Sequence, residues 1–108
     1  MQKSGLVAEG VDIDGLGDQL VELAAHIDAA MHGLLTAIRE FDAALGWAKH
    51  GAVSCAHWLA WRIGWDLTTA RERLCVAKKL GELPIVEKEL RIGAMSYSKA
   101  RAISWVAG

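Results

Sequence analysis

Three side chains that can bind metal ions, His50, Cys55 and His57, lie close together in the sequence. A zinc site needs about four converging nitrogen, sulfur or oxygen ligands. Cys55 and His57 are two positions apart, so on a helix they point to roughly opposite sides, and Gly51 interrupts any helix shared with His50. The spacing therefore predicts no metal site. Cys55 and Cys75 are interpreted as small packing groups that stay reduced, because no secretory signal precedes them.

The residue types of a hydrolase triad also occur, as Ser54, His57 and Asp66. A nucleophilic serine of the hydrolase type lies on a strained turn between a strand and a helix, and no such turn surrounds Ser54. Its position before an apolar segment is typical of a helix N-cap, whose hydroxyl accepts a backbone N–H of the first turn. We therefore predict no catalytic residue and no cofactor in this chain.

The second half of the chain carries the candidate residues for nucleic-acid binding. Residues 1–53 contain three basic and eight acidic side chains, a net charge of −5, whereas residues 54–108 contain nine basic and five acidic ones, a net charge of +4. A basic half favours phosphate contacts with DNA, although pairing between the halves and an ordinary solvated surface are alternatives. The candidates expected on the outside of two helices are Arg71, Lys78, Lys79, Ser98, Lys99 and Arg101.

The last two predicted helices, joined by a segment that begins at Gly93, fit a helix-turn-helix. That motif would place Ser98, Lys99 and Arg101 near a major groove, and the segment is similar to the helix-turn-helix of partition-type DNA-binding proteins. The inward residues after Gly93 fall one place later than in the common motif, so a structural helical hairpin is the alternative. Trp105 shares the face of Ser98 and is expected to be exposed, or covered by residues that follow in longer relatives.

An apolar repeat of seven residues predicts one long helix that organises these elements. It is expected to begin after an N-cap at Asp18, to run to Leu45 and to stop at Gly46. Packing of the apolar seam on the rest of the chain is the first interpretation, and pairing with a second copy or a partner helix is the alternative. The two series of the repeat are Leu20, Ile27, Leu34 and Phe41, and Ala24, Met31, Ile38 and Leu45.

A second helix, capped by Ser54 and closed by Gly64, is interpreted as the hub of the fold. It is apolar on almost every side, which is typical of a central, buried helix. Trp58 and Trp61 are therefore expected in the core rather than stacked on nucleic-acid bases.

Three further helices complete the expected all-α fold, a compact bundle of about five helices without strands. They begin at a capping box, at a first-turn proline and at a serine cap. Each has an expected inner face of apolar residues, which are Ala70, Leu74, Ala77 and Leu80 in the first, Leu83, Val86 and Leu90 in the second, and Ala100, Ile103 and Val106 in the third. The bounds are Ala70–Leu80 after Thr69 and Glu72, Pro84 to Gly93, and Tyr97 to about Ala107 after Ser96.

Composition limits the class of protein. A hydrophobic content of 53% excludes global disorder, and no apolar run reaches the roughly 18–20 residues that cross a bilayer. Residues 1–15 lack the apolar core of a secretory signal, so no membrane contact and a cytoplasmic location are expected. The chain is divided into a flexible lead-in, 1–17, and one helical domain, 18–108.

Three stretches of the sequence are similar to one family. They are residues 23–43 (LAAHIDAAMHGLLTAIREFDA), 54–84 (SCAHWLAWRIGWDLTTARERLCVAKKLGELP) and 93–104 (GAMSYSKARAIS). Through them the chain resembles the actinobacterial 13E12 repeat family, known as domain of unknown function 222, over about residues 20–106. The most specific pieces are SCAHWL at 54–59 and SYSKAR at 96–101.

The resemblance implies the kind of longer protein in which this region occurs, but it assigns no functional site to the residues of this sequence. In that family this region is typically the front of a longer protein that carries an HNH-endonuclease-like module. The sequence lacks the His-His and downstream Asn or His pattern with which such a module holds a metal beside the scissile phosphate. We therefore expect an incomplete copy that associates with nucleic acid and does not catalyse a reaction alone. A protein-interaction or scaffold module is the alternative, and an enzyme acting through a partner chain comes third.

Overall fold

The computed structural model describes residues 10–106, and every regular element among them is a helix. The all-α class and the long N-terminal helix are confirmed. One short helix, α2, was not predicted. The helices are α1 (Ile13–Ala43), α2 (Gly46–Lys49), α3 (Cys55–Ile63), α4 (Leu67–Leu80), α5 (Pro84–Arg91) and α6 (Tyr97–Val106).

Helix α1 begins earlier than the sequence predicted. Its N-cap is Asp12, whose carboxylate accepts the backbone N–H of Gly15 at 3.0 Å, so the proposed cap at Asp18 is wrong. Residues 13–17 of the expected lead-in are helical, while residues 1–9 lie outside the described residues. Gly15 and Gly17 suggested a segment without regular structure. A glycine inside a helix costs only about 1 kcal/mol, however, so the helix can include both.

The end of α1 also differs from the prediction. The helix ends at Ala43, and Leu45 adopts a left-handed backbone with φ 56°. Gly46 was predicted to stop the helix, but it begins α2. A Cβ atom at Gly46 would overlap the ring of Phe41. Glycine is therefore needed at this position for close packing, and the unusual backbone conformation falls on the leucine before it.

Helix α4 is the centre of the fold. It contacts α1, α3, α5 and α6, and Ala70, Val76, Ala77 and Leu80 are its buried side chains. Three of these four were predicted, while Leu74 is only half-buried. The other helices contribute Leu35, Ile38, Cys55, Ala56, Leu59, Leu90 and Ala100 to the core.

Helix α3 is not the hub that its apolar sequence suggested. Only its Cys55, Ala56 and Leu59 are buried, and Trp61 is 67% exposed. The guanidinium of Arg62 lies 5.3 Å from the Trp61 ring centroid and 5.5 Å from that of Trp58. A cation over an indole is a favourable contact at the surface, so the tryptophan does not require burial. The helix therefore lies at the edge of the fold.

Both predicted ends of α3 and the predicted start of α5 are confirmed, whereas α5 ends at Arg91 and not at Gly93. Ser54 caps α3 by accepting the backbone N–H of His57 at 3.1 Å, and Gly64 closes it with a left-handed backbone. Pro84 opens α5, where its missing N–H and fixed φ fit the first turn.

Helix α6 follows its predicted start but not its whole predicted inner face. Ser96 caps it through the backbone N–H of Lys99 at 3.1 Å. Ala100 is buried as expected, Ile103 is half-buried, and Val106 is 85% exposed. The expected inward position of Val106 is therefore wrong.

The start of α4 was predicted wrongly. Its N-cap is Asp66, whose carboxylate accepts the backbone N–H of Thr69 at 2.7 Å and its hydroxyl at 3.1 Å. These hydrogen bonds lower the pKa of Asp66. The helix begins at Leu67, and Glu72 pairs with Arg101 instead of closing a capping box.

Candidate functional site

Two surfaces of the described chain are candidates for function. The first is the basic set predicted from the sequence on α4 and α6. The second is an exposed apolar row on α1, which was expected to be buried.

Two members of the basic set are ion-paired. The Nζ of Lys78 lies 3.1 Å from the carboxylate of Asp42 on α1, and Arg101 donates to Glu72 on α4. That hydrogen bond from Arg101 lowers the pKa of Glu72 and raises the pKa of Arg101. Part of the positive charge of the second half is therefore neutralised within the fold, and one of the acids comes from the first half.

The other basic residues of the set make no such pairs within the described chain. Arg71 and Lys99 are exposed, and neither makes an ion pair with any residue of 10–106. Ser98 is exposed and Lys79 is half-buried. Arg71 shares the outward side of α4 with Lys78. The available cations are thus divided between two helices.

The predicted helix-turn-helix is anchored to α1. Gly93 has φ +77°, and a Cβ there would lie 2.9 Å from the carbonyl oxygen of Ala25. The carboxylate of Asp28 accepts the backbone N–H of Tyr97 at 3.0 Å. A recognition helix contacts bases with its N-terminal residues, and here a carboxylate of α1 lies against that end. Its negative charge opposes the approach of phosphates, so the arrangement fits a structural hairpin better than a DNA-reading motif.

One arginine that the sequence did not single out joins α4 to α6. Arg73 is positioned over the Tyr97 ring, 4.7 Å from its centroid, and donates to the Tyr97 hydroxyl at 3.1 Å. Its guanidinium also lies 5.6 Å from the centroid of Trp65. Burial raises the pKa of Tyr97. The partners are far apart in sequence, so no local pattern could have indicated them.

The triad residues are held in structural roles. The Ser54 hydroxyl lies 2.6 Å from Nδ1 of His57, but Asp66 uses its carboxylate to cap α4. The indole N–H of Trp58 donates to His50 at 3.0 Å. Across residues 10–106, no three His, Cys, Asp or Glu side chains are placed to hold one metal ion.

The two cysteines have different environments. Cys55 is buried, and this burial raises its pKa to about 11. Cys75 is exposed on α4, so its interpretation as a packing group is wrong. Both are free thiols.

The first half of α1 carries an exposed apolar row, here named the apolar stripe. Leu20 is 67% exposed and Ile27 is 66% exposed, so the prediction that the seam packs on the rest of the chain is wrong for this half. At about 3.6 residues per turn, the exposed acids of this half fall on the opposite side of the helix. The stripe consists of Ile13, Leu16, Leu20, Leu23 and Ile27, and the acids are Asp14, Asp18 and Glu22.

This half of α1 projects from the packed helices. The radius of gyration is 18.1 Å, against about 13 Å for a compact chain of this size. The longest dimension is 56 Å. The stripe therefore has no intramolecular neighbour to cover it within the described chain.

The stripe continues into an apolar groove between α1 and α3. Further along the same helical row, Leu34, Ala37 and Phe41 line this groove, and Trp58 and Ile63 form its other wall. The rings of Phe41 and Trp58 are in contact, with centroids 4.4 Å apart. Stripe and groove together form one apolar track along α1.

The core-facing side of α1 lies at an angle to this track. Leu35 and Ile38 are its buried side chains, and Met31 packs beside them. Ile38 and Met31 belong to the second predicted series, whereas Leu35 belongs to neither. Of the predicted seam, the members from Met31 to Phe41 pack within the described chain, whereas Leu45 at its end is 58% exposed.

The residues 10–106 thus form an all-helical domain in which the first half of the amphipathic helix α1 is uncovered. Residues 17–107 of the chain match the family described as Domain of unknown function (DUF222), and the chain belongs to that family. No curated protein and no solved structure is significantly similar to it. Within residues 10–106, no helix combines the length and apolar character needed to cross a membrane.

Proposed function

We propose that this DUF222 domain is a protein-interaction module that docks through the apolar stripe of α1. The exposure of Leu20 and Ile27 on one line of an amphipathic helix carries the proposal. Soluble proteins rarely leave a contiguous apolar row uncovered unless it meets a partner. Recognition of an amphipathic helix by an apolar surface is a common mode of association.

The position of the acidic side chains on α1 supports the same role. Asp14, Asp18 and Glu22 lie opposite it, so a partner would meet apolar side chains while these acids stay in water. The half of α1 that carries the stripe needs no rearrangement to bind, because it already projects as a helix. The positively charged surface of the basic set is less continuous than the apolar stripe, because Lys78 and Arg101 are ion-paired.

A two-hybrid selection with matched baits tests the proposal. The baits are the wild-type chain, Leu20→Glu and Val21→Glu. Val21 is 72% exposed on the same turn but lies outside the stripe, so its replacement controls for the added charge. Partners are expected to be lost with Leu20→Glu and kept with Val21→Glu. Partners that tolerate both changes, or that need both residues equally, contradict the proposal.

A second function that we propose, association with nucleic acid, is supported by Arg71 and Lys99 of the basic set. Arg71 and Lys99 are exposed and free of ion pairs within the described chain, and phosphate contacts use such side chains. The family resemblance supports the same role, because it implies relatives that join this domain to an HNH endonuclease module. A cytoplasmic location, which either role would fit, stays a prediction.

Mobility shifts with duplex and single-stranded DNA at two salt concentrations test this second function. Binding should weaken steeply as salt rises, and Arg71→Glu with Lys99→Glu should abolish it. Lys49→Glu, an exposed lysine on α2, is the control and should change little. A Lys99 variant that alters sequence preference would indicate base reading rather than phosphate contact alone. Binding that is absent or insensitive to salt contradicts this function.

A further inference from the structure

We propose that the partner on the apolar track is a second copy of this chain, paired antiparallel along α1. The twofold axis passes between Ile27 and Ala30. The projecting half of each α1 then lies in the other copy's groove between α1 and α3. This inference rests on the proposed function, because it names the occupant of the same surface.

The order of large and small residues along the track favours the antiparallel register. The row Ile13, Leu16, Leu20, Leu23 and Ile27 continues as Ala30, Leu34, Ala37 and Phe41. In the antiparallel register, Ala30 and Ala37 of one copy each meet a large residue of the other, as knobs packing into holes require. The facing pairs are Leu20 with Ala37, Ile27 with Ala30, Leu23 with Leu34, and Leu16 with Phe41.

A parallel pair would fill the same track poorly. Ala30 would face Ala30 and Ala37 would face Ala37, which leaves two thin layers in the seam. Phe41 would also have to face its own copy beside Trp58, whose ring it already contacts. The alanines therefore distinguish the two orientations.

Charge does not oppose self-association in this register. The positions that flank the stripe in its first half are Gly17, Gln19, Ala24 and His26, and none is acidic. In the antiparallel pair Gln19 comes nearest to Glu40, the acid that flanks the groove half. No acid faces another acid across the seam, so the repulsion that like charges cause between helices is avoided.

The remaining helices leave room for the second copy. Helices α5 and α6 approach α1 near Ala25 and Asp28, on the side away from the stripe. Residues 13–41 span about 43 Å at 1.5 Å per residue. The exposed side chains of the track offer on the order of 600 Å² per copy, which reaches the lower limit of about 1,200 Å² in total for a specific interface.

Sedimentation equilibrium of the full chain is the first test. The expected mass is twice the 11.7 kDa of one chain. Leu20→Glu should weaken dimerisation about 100-fold or more, because the pair would bury an unmatched carboxylate. Val21→Glu, outside the stripe, should leave the dimer intact. Circular dichroism should show the same helix content in all three proteins, since both positions are exposed in the single chain.

Disulfide trapping tests the register. In a Cys75→Ser background, which removes the exposed thiol, chains with Leu20→Cys are mixed with chains with Ala37→Cys. The antiparallel pair predicts efficient cross-linking in the mixture and little within either chain type alone. Cross-linking of Leu20→Cys to itself would show a parallel pair and overturn the proposal.

The outcomes separate this inference from the proposed function. A wild-type chain that stays at 11.7 kDa at every concentration overturns the second copy as partner. If its two-hybrid partners still need Leu20 but not Val21, the interaction module stands and its partner is a different protein. If Leu20→Glu and Val21→Glu weaken the dimer equally, the track is not its interface.

Discussion

The carboxylate of Asp28, in the middle of α1, accepts the backbone N–H of Tyr97 at 3.0 Å. Tyr97 is the first residue of α6. The N–H groups of a first turn have no partner within their own helix, and the positive end of the helix dipole favours a negative charge nearby. One side chain of the long helix thereby joins Ser96 in capping the last helix.

Replacing Asp28 should therefore destabilise the domain. Asp28→Ala is expected to cost about 1 kcal/mol, in the range found for lost helix caps. Asp28→Asn keeps an acceptor and should recover most of this loss. Urea unfolding followed by circular dichroism measures both. A change below about 0.3 kcal/mol for Asp28→Ala would show that this hydrogen bond contributes little.

The two sides of α1 should respond differently to truncation. Leu35 is 1% exposed, and Leu35→Ala is expected to cost about 2–5 kcal/mol because it leaves a cavity in the core. Val21→Ala removes an exposed side chain outside the track and should change stability by less than about 0.5 kcal/mol. Denaturant midpoints of the two variants check the orientation of α1. Equal losses would contradict it.

Local signals predicted several helix ends correctly. A helix start depends on contacts with residues three or four positions away, so a short stretch of sequence contains both partners. This holds for Ser54, Pro84 and Ser96. Asp28 and Arg73 could not be assigned in this way. Their partner Tyr97 is 69 residues from Asp28 and 24 residues from Arg73.

The heptad pattern predicted the long helix but not its orientation. Both predicted series are apolar, and periodicity alone does not say which one faces the core. Leu35 belongs to neither series and is nearly fully buried. The apolar stripe became a candidate site only when the structure left Leu20 and Ile27 uncovered. Tertiary packing determines which face of α1 is buried, and this face cannot be inferred from the periodicity of a single sequence.

Acid should weaken the contact between α1 and α5. Arg39 donates to Glu87 at 2.9 Å, and this hydrogen bond is the main cause of the lowered pKa of Glu87. A carboxylate with a lowered pKa in the folded state stabilises the fold above its unfolded pKa of about 4.3. The contribution is lost as the pH falls through the folded pKa.

Glu87→Gln tests this pH dependence. At pH 7 it should cost about 1 kcal/mol, a typical value for a hydrogen bond to a charged group at a partly exposed site. At pH 3 the difference from wild type should shrink. Glu82→Gln, an exposed carboxylate without an ion pair in the described chain, is the control. A loss that is the same at both pH values would mean that the charge of Glu87 does not matter.

The two thiols should react at very different rates. Cys75 is exposed, whereas Cys55 is buried and its pKa is about 11. The thiolate is the reactive form, so at pH 8 one thiol per chain should react rapidly with Ellman's reagent. The second should react only after unfolding in denaturant. Two thiols that react rapidly in the folded chain would contradict this assignment. A Cys75→Ser variant in which no thiol reacts after unfolding would contradict it as well.

Trp58 in the wall of the groove can also serve as an intrinsic fluorescent reporter. Trp58 lines the groove, and its ring lies against Phe41 and beneath the guanidinium of Arg62. Indole fluorescence depends on how much water surrounds the ring, so an occupied groove would emit at a shorter wavelength than an open one. With the other four tryptophans replaced by phenylalanine, Trp58 would report occupancy of the groove without any attached dye.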